Sequence, residues 1–482
     1  MRVVGANNKK YQALKGDFIN NYFIVMYYNT EQKIPDFIFK SGFRSNNYLC
    51  ASMNEKKRIA FYTLGCKLNY SETSQISRQF PEEKYTVVDF SAIADIYVIN
   101  TCVVTEKAEK KSRAIIRQAK KRNPNAVIAA VGCYSELKPD EIKAMHGTDM
   151  ILGTAEKFKI LEYLAHTEDH EINKSSDDVR PFISSYSSGD RTRSFFKIQD
   201  GCDYFCSYCT VPLARGRSRS DSIENTLKVA REIASTDIKE MILTGVNVGD
   251  FGRKNNEKLL DLLEELDKIE GIERIRISSI EPDLLKDEII EFVAQSKKFL
   301  PHFHIPLQSA SDRVLKEMKR RYNTNLFLDR LKKIKELIPD CCIAIDLIVG
   351  FPGETDDDIR ESLKFIESSA ISYMHVFTYS ERDNTKAILL GNKIPNSERT
   401  LRSKQMLHLS EKLKAKFYNE NLGKDKFVLF ESDNDNGVMY GFTENYIKVK
   451  VPFDVGLINQ IKKVHLERIE KDGIFAVEIV DR

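Results

Sequence analysis

Ser194-Phe-Phe-Lys-Ile-Gln-Asp-Gly-Cys202-Asp-Tyr-Phe-Cys206-Ser-Tyr-Cys209 reads as a short apolar strand, Ser194–Ile198, that runs into a loop with three cysteines. Three residues separate the first pair and two the second, so all three thiolates can converge from one loop. Such a loop holds three corners of an iron–sulfur cube and leaves the fourth iron without a protein ligand, open to a small molecule. The competing readings are incidental core cysteines or part of a zinc site. Zinc would want a fourth Cys or His at close spacing, and none of the eight His lies within thirty residues of this loop.

Strand–helix alternation continues outward from the loop. Glu240–Thr244, Arg274–Ser278, His302–Leu307, Cys342–Val349 and Tyr373–Thr378 read as further strands. Six strands with intervening helices suit a parallel barrel or partial barrel, with its chemistry at the strand C-terminal ends. Three of those ends carry ligand-like sequence: Leu243-Thr-Gly-Val-Asn-Val-Gly-Asp250, His304-Ile-Pro-Leu-Gln-Ser309 and Asp346-Leu-Ile-Val-Gly-Phe-Pro-Gly-Glu354. The glycines of the first permit close backbone approach to a ligand, and Gly350, Pro352 and Gly353 of the third form a tight turn. By the two-residue period His304, Pro306 and Gln308 share one face, although a lone His304 reads equally as a satisfied strand histidine.

Upstream, Ile59–Leu64, Tyr97–Asn100 and Ala126–Val131 read as buried strands, with helices at Ser71–Phe80 and Glu106–Arg122. That alternation predicts a doubly wound parallel α/β sheet. A cysteine follows each strand: Cys66, Cys102 and Cys133. Ligands of open α/β sheets bind outside those carboxyl ends, so the fold itself would collect three thiols at one rim. Spacing alone leaves a shared site and three separate cysteines equally open.

Domain limits follow from composition. Residues 1–56 hold ten aromatics before position 53 and no chemical motif, and the text changes at Met53; an extension or misassigned start, poorly ordered, is expected there. Residues 57–165 form the N-terminal domain, 166–192 a polar linker and 193–418 the barrel core. Helix Leu401–Asn419 leads to a small all-β barrel over 419–482, built from runs such as Tyr446–Val451 and Ile474–Val480. The 482 residues suit roughly two to four domains. With 42% hydrophobic and 30% charged residues and no apolar run of membrane-spanning length, the chain reads as globular, cytoplasmic and without a membrane partner. Nine cysteines in such a chain argue for metal chemistry over disulfides. The net charge of +3 does not by itself call for nucleic acid.

Taken together, Thr63-Leu-Gly-Cys-Lys-Leu-Asn69, Asn100-Thr-Cys102, Val131-Gly-Cys-Tyr134 and the Cys202–Cys209 loop resemble the radical S-adenosylmethionine methylthiotransferases, from about residue 57 to the C-terminus. The resemblance implies two [4Fe-4S] clusters, one on Cys202, Cys206 and Cys209, the other on Cys66, Cys102 and Cys133. It implies S-adenosylmethionine, two molecules per turnover, with contacts from Tyr208, Thr244, Gly245, Asn247, Gln308, Ser309 and Gly350. It implies that one S-adenosylmethionine methylates sulfur held at the N-terminal cluster while a radical from the other abstracts hydrogen from adenine C2. No catalytic acid or base is assigned. Partners implied are tRNA, a reducing electron donor and a sulfur source, and the terminal barrel would be an RNA-binding TRAM domain. Cys-Lys-Leu-Asn and Ala-Arg-Gly-Arg-Ser-Arg-Ser are most similar to the branch that modifies N6-threonylcarbamoyladenosine beside the anticodon (position 37), giving its 2-methylthio derivative. The alternatives are the isopentenyladenosine and ribosomal-protein aspartate branches, which carry other residues after the first cysteine.

Three further readings concern charge and leftover thiols. Residues 424–482 hold nine Lys/Arg against eleven Asp/Glu, so the terminal barrel has no strong basic field beyond a stripe of Lys448, Lys450, Lys462 and Lys463. Residues 106–122 carry eight Lys/Arg and two Glu and read as a solvated helix or an RNA-backbone contact. Arg215, Arg217 and Arg219 suit contacts to a carboxylate or phosphate, or a solvated loop. Cys341 and Cys342 read as buried strand residues, and Cys50 falls in the extension.

Overall fold

The computed structural model describes residues 56–165, 180–188 and 192–480. The expected extension lies outside them except for Lys56, and so does Cys50. The N-terminal part is a five-stranded parallel sheet of β1 (Lys57–Thr63), β2 (Tyr85–Val87), β3 (Ile96–Thr101), β4 (Val127–Gly132) and β5 (Met150–Leu152), in the order 2-1-3-4-5. β3 is buried along its whole length, as a strand covered on both faces must be. β2 and β5 have three residues each, too few to show a period. Helices α1 (Lys67–Ser77), α2 (Glu106–Arg122) and α3 (Cys133–Leu137) follow β1, β3 and β4. α1 starts at Lys67, ahead of the expected Ser71, because Cys66 supplies an extended N-cap and Leu68 and Asn69 are already buried.

The second part is a partial barrel. Its strands are β6 (Ser185–Tyr186), β7 (Arg193–Lys197), the short pair β8 (Gln199–Asp200) and β9 (Arg219–Ser220), then β10 (Glu240–Thr244), β11 (Arg274–Ile277), β12 (His302–His304), β13 (Cys342–Val349) and β14 (Tyr373–Thr378). Two ladders, 11-10-7-6 and 12-13-14, are joined by parallel bridges from Ile275 to Phe299 and from Ser279 to His304. The stretch read as a linker thus contributes an edge strand, β6, antiparallel to β7. β12 stops at His304, short of Leu307. Pro306 has no amide to donate, and Gln308 turns to φ 63° before bridging to Leu347. Alternation along β11 sends Ile275 and Ile277 to the helix-covered convex core and leaves Arg274 and Arg276 for the other, concave face.

Helix Asn396–Asn419 packs on β14 and leads into β15 (Asp425–Phe430), β16 (Val438–Thr443), β17 (Lys448–Pro452), β18 (Ile461–Ile469) and β19 (Phe475–Ile479). These close into a barrel in the order 15-16-17-19-18 around Val428, Phe430, Met439, Val449, Val464, Leu466 and Phe475. The small barrel caps the N-terminal ends of the larger one. Arg274 donates to Phe427 O at 2.8 Å, Arg276 to Thr443 O and Glu444 O at 2.8 Å each, and Arg193 pairs with Glu431 at 2.5 Å. Buried cations thereby satisfy carbonyls that the closed barrel leaves over.

Candidate active site

The loop after β8 turns at Gly201, whose φ is 69°; a Cβ there would stand 2.1 Å from Arg217 O, so only glycine allows the returning β9 to pass this close. Cys202 N donates to Gly216 O at 3.1 Å, Tyr204 N to Cys202 Sγ at 3.4 Å and Cys209 N to Cys206 O at 3.1 Å. Burial pushes the Cys202 and Cys206 thiols up and takes Cys209 to about 12, and the neighbouring cysteines raise Cys202 and Cys209 further. Three such thiols side by side ionise only for a cation, which is the chemistry of a metal site. Arg320 supplies part of that charge, with Nη1 3.0 Å from Cys206 Sγ, and is itself held by Glu281 and by Tyr322 Oη at 3.0 Å.

Cys66, Cys102 and Cys133 stand at the carboxyl ends of β1, β3 and β4, which are adjacent in the sheet. A Cβ on Gly65 (φ 96°) would lie 3.0 Å from Cys102 Sγ, and one on Gly132 (φ 96°) would lie 2.4 Å from Asn100 Oδ1. Asn69 Nδ2 donates to Leu64 O at 2.7 Å and Thr101 O at 3.1 Å, tying the turns that carry Cys66 and Cys102. Thr101 Oγ1 reaches Val131 O at 2.7 Å and adds the Cys133 turn. Burial takes the Cys102 thiol to about 12, with Cys133 and Cys66 adding to it. Cys66 is the exposed member of the three. Both thiol sets, each cradled by a glycine turn, fit a cluster held at three corners.

One buried ion network joins the two sites. Glu72 on α1 pairs with Lys157 at 2.5 Å, Lys197 on β7 at 2.8 Å and Arg215 at 2.9 Å. Asp200, two residues before Cys202, binds Lys197 at 3.0 Å and Arg215 and Arg219 at 2.9 Å each. Arg215 Nη2 also donates to Asn69 Oδ1 at 2.6 Å. These cations hold both carboxyls well below the usual carboxylate range. Charges this deeply buried persist only when mutually paired, so α1 and the Cys202 loop are fixed relative to each other.

The residues assigned to S-adenosylmethionine cluster at the barrel's carboxyl rim. Gln199 Oε1 accepts from Asn247 N at 2.8 Å while its Nε2 donates to Gly201 O at 2.7 Å, linking the Gly245–Asn247 turn to the cysteine loop. Asn247 Oδ1 is buried and without a partner among the described residues, an acceptor left for a ligand's donor. Gly245 has no room for a side chain, since a Cβ would meet Gln199 Oε1 at 2.9 Å. Gln308 N donates to Asp346 O at 2.8 Å, and Gly350 (φ 76°) donates to Glu354 Oε2 at 2.7 Å. Thr244 and Ser309 are buried, whereas Tyr208 sits against Val314, Met318 and Phe351 beside Arg320. Deeper in the concave face, His304 Nε2 is 2.9 Å from Asp346 Oδ1, and His375 completes a half-buried group with them. Burial pushes His375 down to about 4.

Residues 58–153 match a model described as uncharacterized protein family UPF0004, and residues 196–366 match the radical SAM superfamily. A relative from Bacillus subtilis, named threonylcarbamoyladenosine tRNA methylthiotransferase MtaB, is 39% identical over 85% of this chain and 93% of its own length. One of the same name from Aquifex aeolicus is 38% identical over 82% and 96%. A tRNA-2-methylthio-N(6)-dimethylallyladenosine synthase from Clostridium perfringens is 32% identical over 89% and 98%. The chain belongs to the radical S-adenosylmethionine methylthiotransferases. Members of this family work with S-adenosylmethionine and [4Fe-4S] clusters, and the two thiol sets have the donor chemistry for the latter.

Two readings of charge change with the structure of this methylthiotransferase. Arg215 is buried on Glu72 and Asp200 and Arg219 is half-buried on Asp200, so neither is free for a phosphate; Arg217 alone of the three has an exposed side chain, and it leans on Phe205. Lys450, counted in the basic stripe of the terminal barrel, pairs with Asp472 at 2.5 Å, and Lys463 pairs with Asp425 at 3.0 Å. α2 buries Ala108, Ser112, Ile116 and Ala119 and exposes Lys107, Lys110, Arg117 and Lys121. Cys341 and Cys342 are buried in cores, as read. Sequence reasoning missed Glu72, Asp200, Arg320 and Glu281. Glu72 and Asp200 each stand a few residues from a cluster cysteine, and Lys197 stands three residues before Asp200, which was a usable signal; Arg320 stands 114 residues from Cys206 and offered none.

Proposed function

We infer that this protein is a tRNA methylthiotransferase acting at adenine C2 of N6-threonylcarbamoyladenosine beside the anticodon, giving the 2-methylthio derivative. The observation that carries the reading is the pair of three-thiol sites locked together by the Glu72–Arg215–Asp200 network. One site to generate a radical and another to carry sulfur need a fixed separation, and buried ion pairs supply it. When bound, the clusters and S-adenosylmethionine supply homolytic hydrogen abstraction from an unreactive carbon and the sulfur that replaces it. The chain's own groups orient these parts. Arg320 sets the charge at Cys206, Gln199 couples the cysteine loop to Asn247, and Asn69 spaces Cys66 from Cys102. The relatives named for threonylcarbamoyladenosine support this substrate over the isopentenyl alternative.

The cysteines assigned to the clusters, and the rim residues assigned to S-adenosylmethionine, belong to the same proposal. So do the closed five-stranded barrel as a TRAM domain and the limits 57–165, 193–418 and 419–482 for the three domains. The exposed lysines of α2 and Lys462 suit the tRNA backbone. A reducing electron donor and a sulfur source complete the reaction, in the cytoplasm. No helix among the described residues is long and apolar enough to cross a membrane. Nucleoside mass spectrometry of tRNA from a deletion strain tests the function: loss of 2-methylthio-N6-threonylcarbamoyladenosine, restored by the gene, is expected. Unchanged levels of that nucleoside would refute it.

A further inference from the structure

The concave face of the larger barrel is richer in cations than in the anions that could answer them. Arg274 and Arg276 share one carboxylate, Glu240, at 3.9 and 2.8 Å, and Arg193 is taken up by Glu431. Asp346 is engaged by His304. Into this space α1 sends Lys67, the residue after Cys66. Its Nζ stands 5.9 Å from the Phe195 ring centroid and has no hydrogen bond or ion pair among the described residues. Phe195 alternates along β7 with Phe196, which packs in the convex core, so Lys67 enters the concave chamber. His302, its ring tilted 36° against Tyr446 at 4.5 Å between centroids, is buried with both ring nitrogens unpartnered among the described residues. An ammonium on this wall can pair with an anionic group that enters the chamber.

Resting on the function inferred above, we propose that Lys67 is a specificity-determining residue that pairs with the carboxylate of the substrate's threonylcarbamoyl group. The chemistry matches on three points. The threonylcarbamoyl group ends in a carboxylate, whereas an isopentenyl group has nothing to offer an ammonium. Lys67 stands next to the exposed thiol of the N-terminal set, so an adenine whose C2 faces that site brings its N6 substituent into the chamber. Glu240 and Asp346, the carboxylates whose charge Lys67 shares the chamber with, are already committed to Arg276 and His304. Lys67 holds and orients the substrate and takes no part in bond breaking.

The test compares two anticodon stem-loop RNAs, one with N6-threonylcarbamoyladenosine and one with its threonine carboxylate capped as the methyl amide. 2-Methylthio product formation is followed by mass spectrometry on the reconstituted protein. The wild type should prefer the acid by about 100-fold in kcat/KM, the scale for losing one partner of a sheltered charge pair. Lys67→Met should lose that preference by falling on the acid alone, and Lys67→Arg should keep most of it; iron and sulfide content reports whether each variant still holds its clusters. A wild type that treats acid and amide alike overturns the proposal without recourse to any variant. A Lys67→Met protein slowed equally on both RNAs overturns it too, by making Lys67 a structural residue. If the wild type modifies neither RNA, the function itself fails, a result distinct from either of those.

Discussion

The two cysteine sets arrive at the same kind of site by opposite routes. Cys202, Cys206 and Cys209 lie in one loop, positioned by the turn at Gly201 and by hydrogen bonds within a few residues. Cys66, Cys102 and Cys133 are distant in sequence and meet only because β1, β3 and β4 are neighbours in a parallel sheet. The first set depends on local backbone geometry, the second on the register of a whole domain. The first therefore tolerates damage to the N-terminal sheet, while the second depends on it. Glu72 and Asp200 are where this independence ends, because each binds Lys197 and Arg215 in common.

The sharpest way to break the comparison is to remove thiols. Replacing Cys202, Cys206 or Cys209 by Ala should bring 5′-deoxyadenosine release to background in anaerobic assays with dithionite. Replacing Cys66, Cys102 or Cys133 should leave part of that release and abolish methylthiolation. Equal loss of release in both sets would show that the sites are not separable. Next in size, Glu72→Ala strands Lys157 in the interior and leaves Lys197 and Arg215 to Asp200 alone. A loss of about 3–5 kcal/mol in urea unfolding is expected from breaking a buried pair, and iron content should fall at both sites.

Glycine variants sharpen the contrast further. Gly132→Ala and Gly201→Ala each impose about 1–2 kcal/mol for a left-handed backbone and add a clash, at 2.4 Å from Asn100 Oδ1 and at 2.1 Å from Arg217 O. Gly132→Ala should lower methylthiolation while sparing 5′-deoxyadenosine release, and Gly201→Ala should lower both. A further effect concerns acid. His375 titrates near 4 in the folded chain because burial opposes its charge, against about 6.5 when unfolded. The folded state then binds fewer protons, so this stability is present above pH 6.5 and is lost as pH falls toward 4. His375→Gln should flatten the thermal-stability profile across that interval; an unchanged slope would assign the acid loss to other groups.

Much of the fold was legible because its signals are local. Largely apolar runs of four to six residues marked β3, β4 and β10, and the basic helix α2 was read to the residue. The three-residue strands β2 and β5 were not, since three residues carry no period, and β6 hid in a polar stretch because its pairing with β7 uses the backbone alone. In the site, the Cys202 loop declared itself by spacing, whereas Arg215 and Arg219 read as contacts to a carboxylate or phosphate or as a solvated loop, because a sequence does not show which acid will face a base.

What the sequence by itself determined is the chemistry: two sets of three cysteines, strand ends rich in glycine and a lysine beside the first thiol. What only the tertiary structure decided is the arrangement. The sheet order 2-1-3-4-5 brings Cys66, Cys102 and Cys133 to one rim, Glu72 bolts that rim to the barrel, and Lys67 is left facing the chamber without a partner among the described residues. Residue spacing dictates what a loop can bind because the backbone has fixed dimensions. Which distant groups meet depends on how whole elements pack, a property that no local stretch of chain carries.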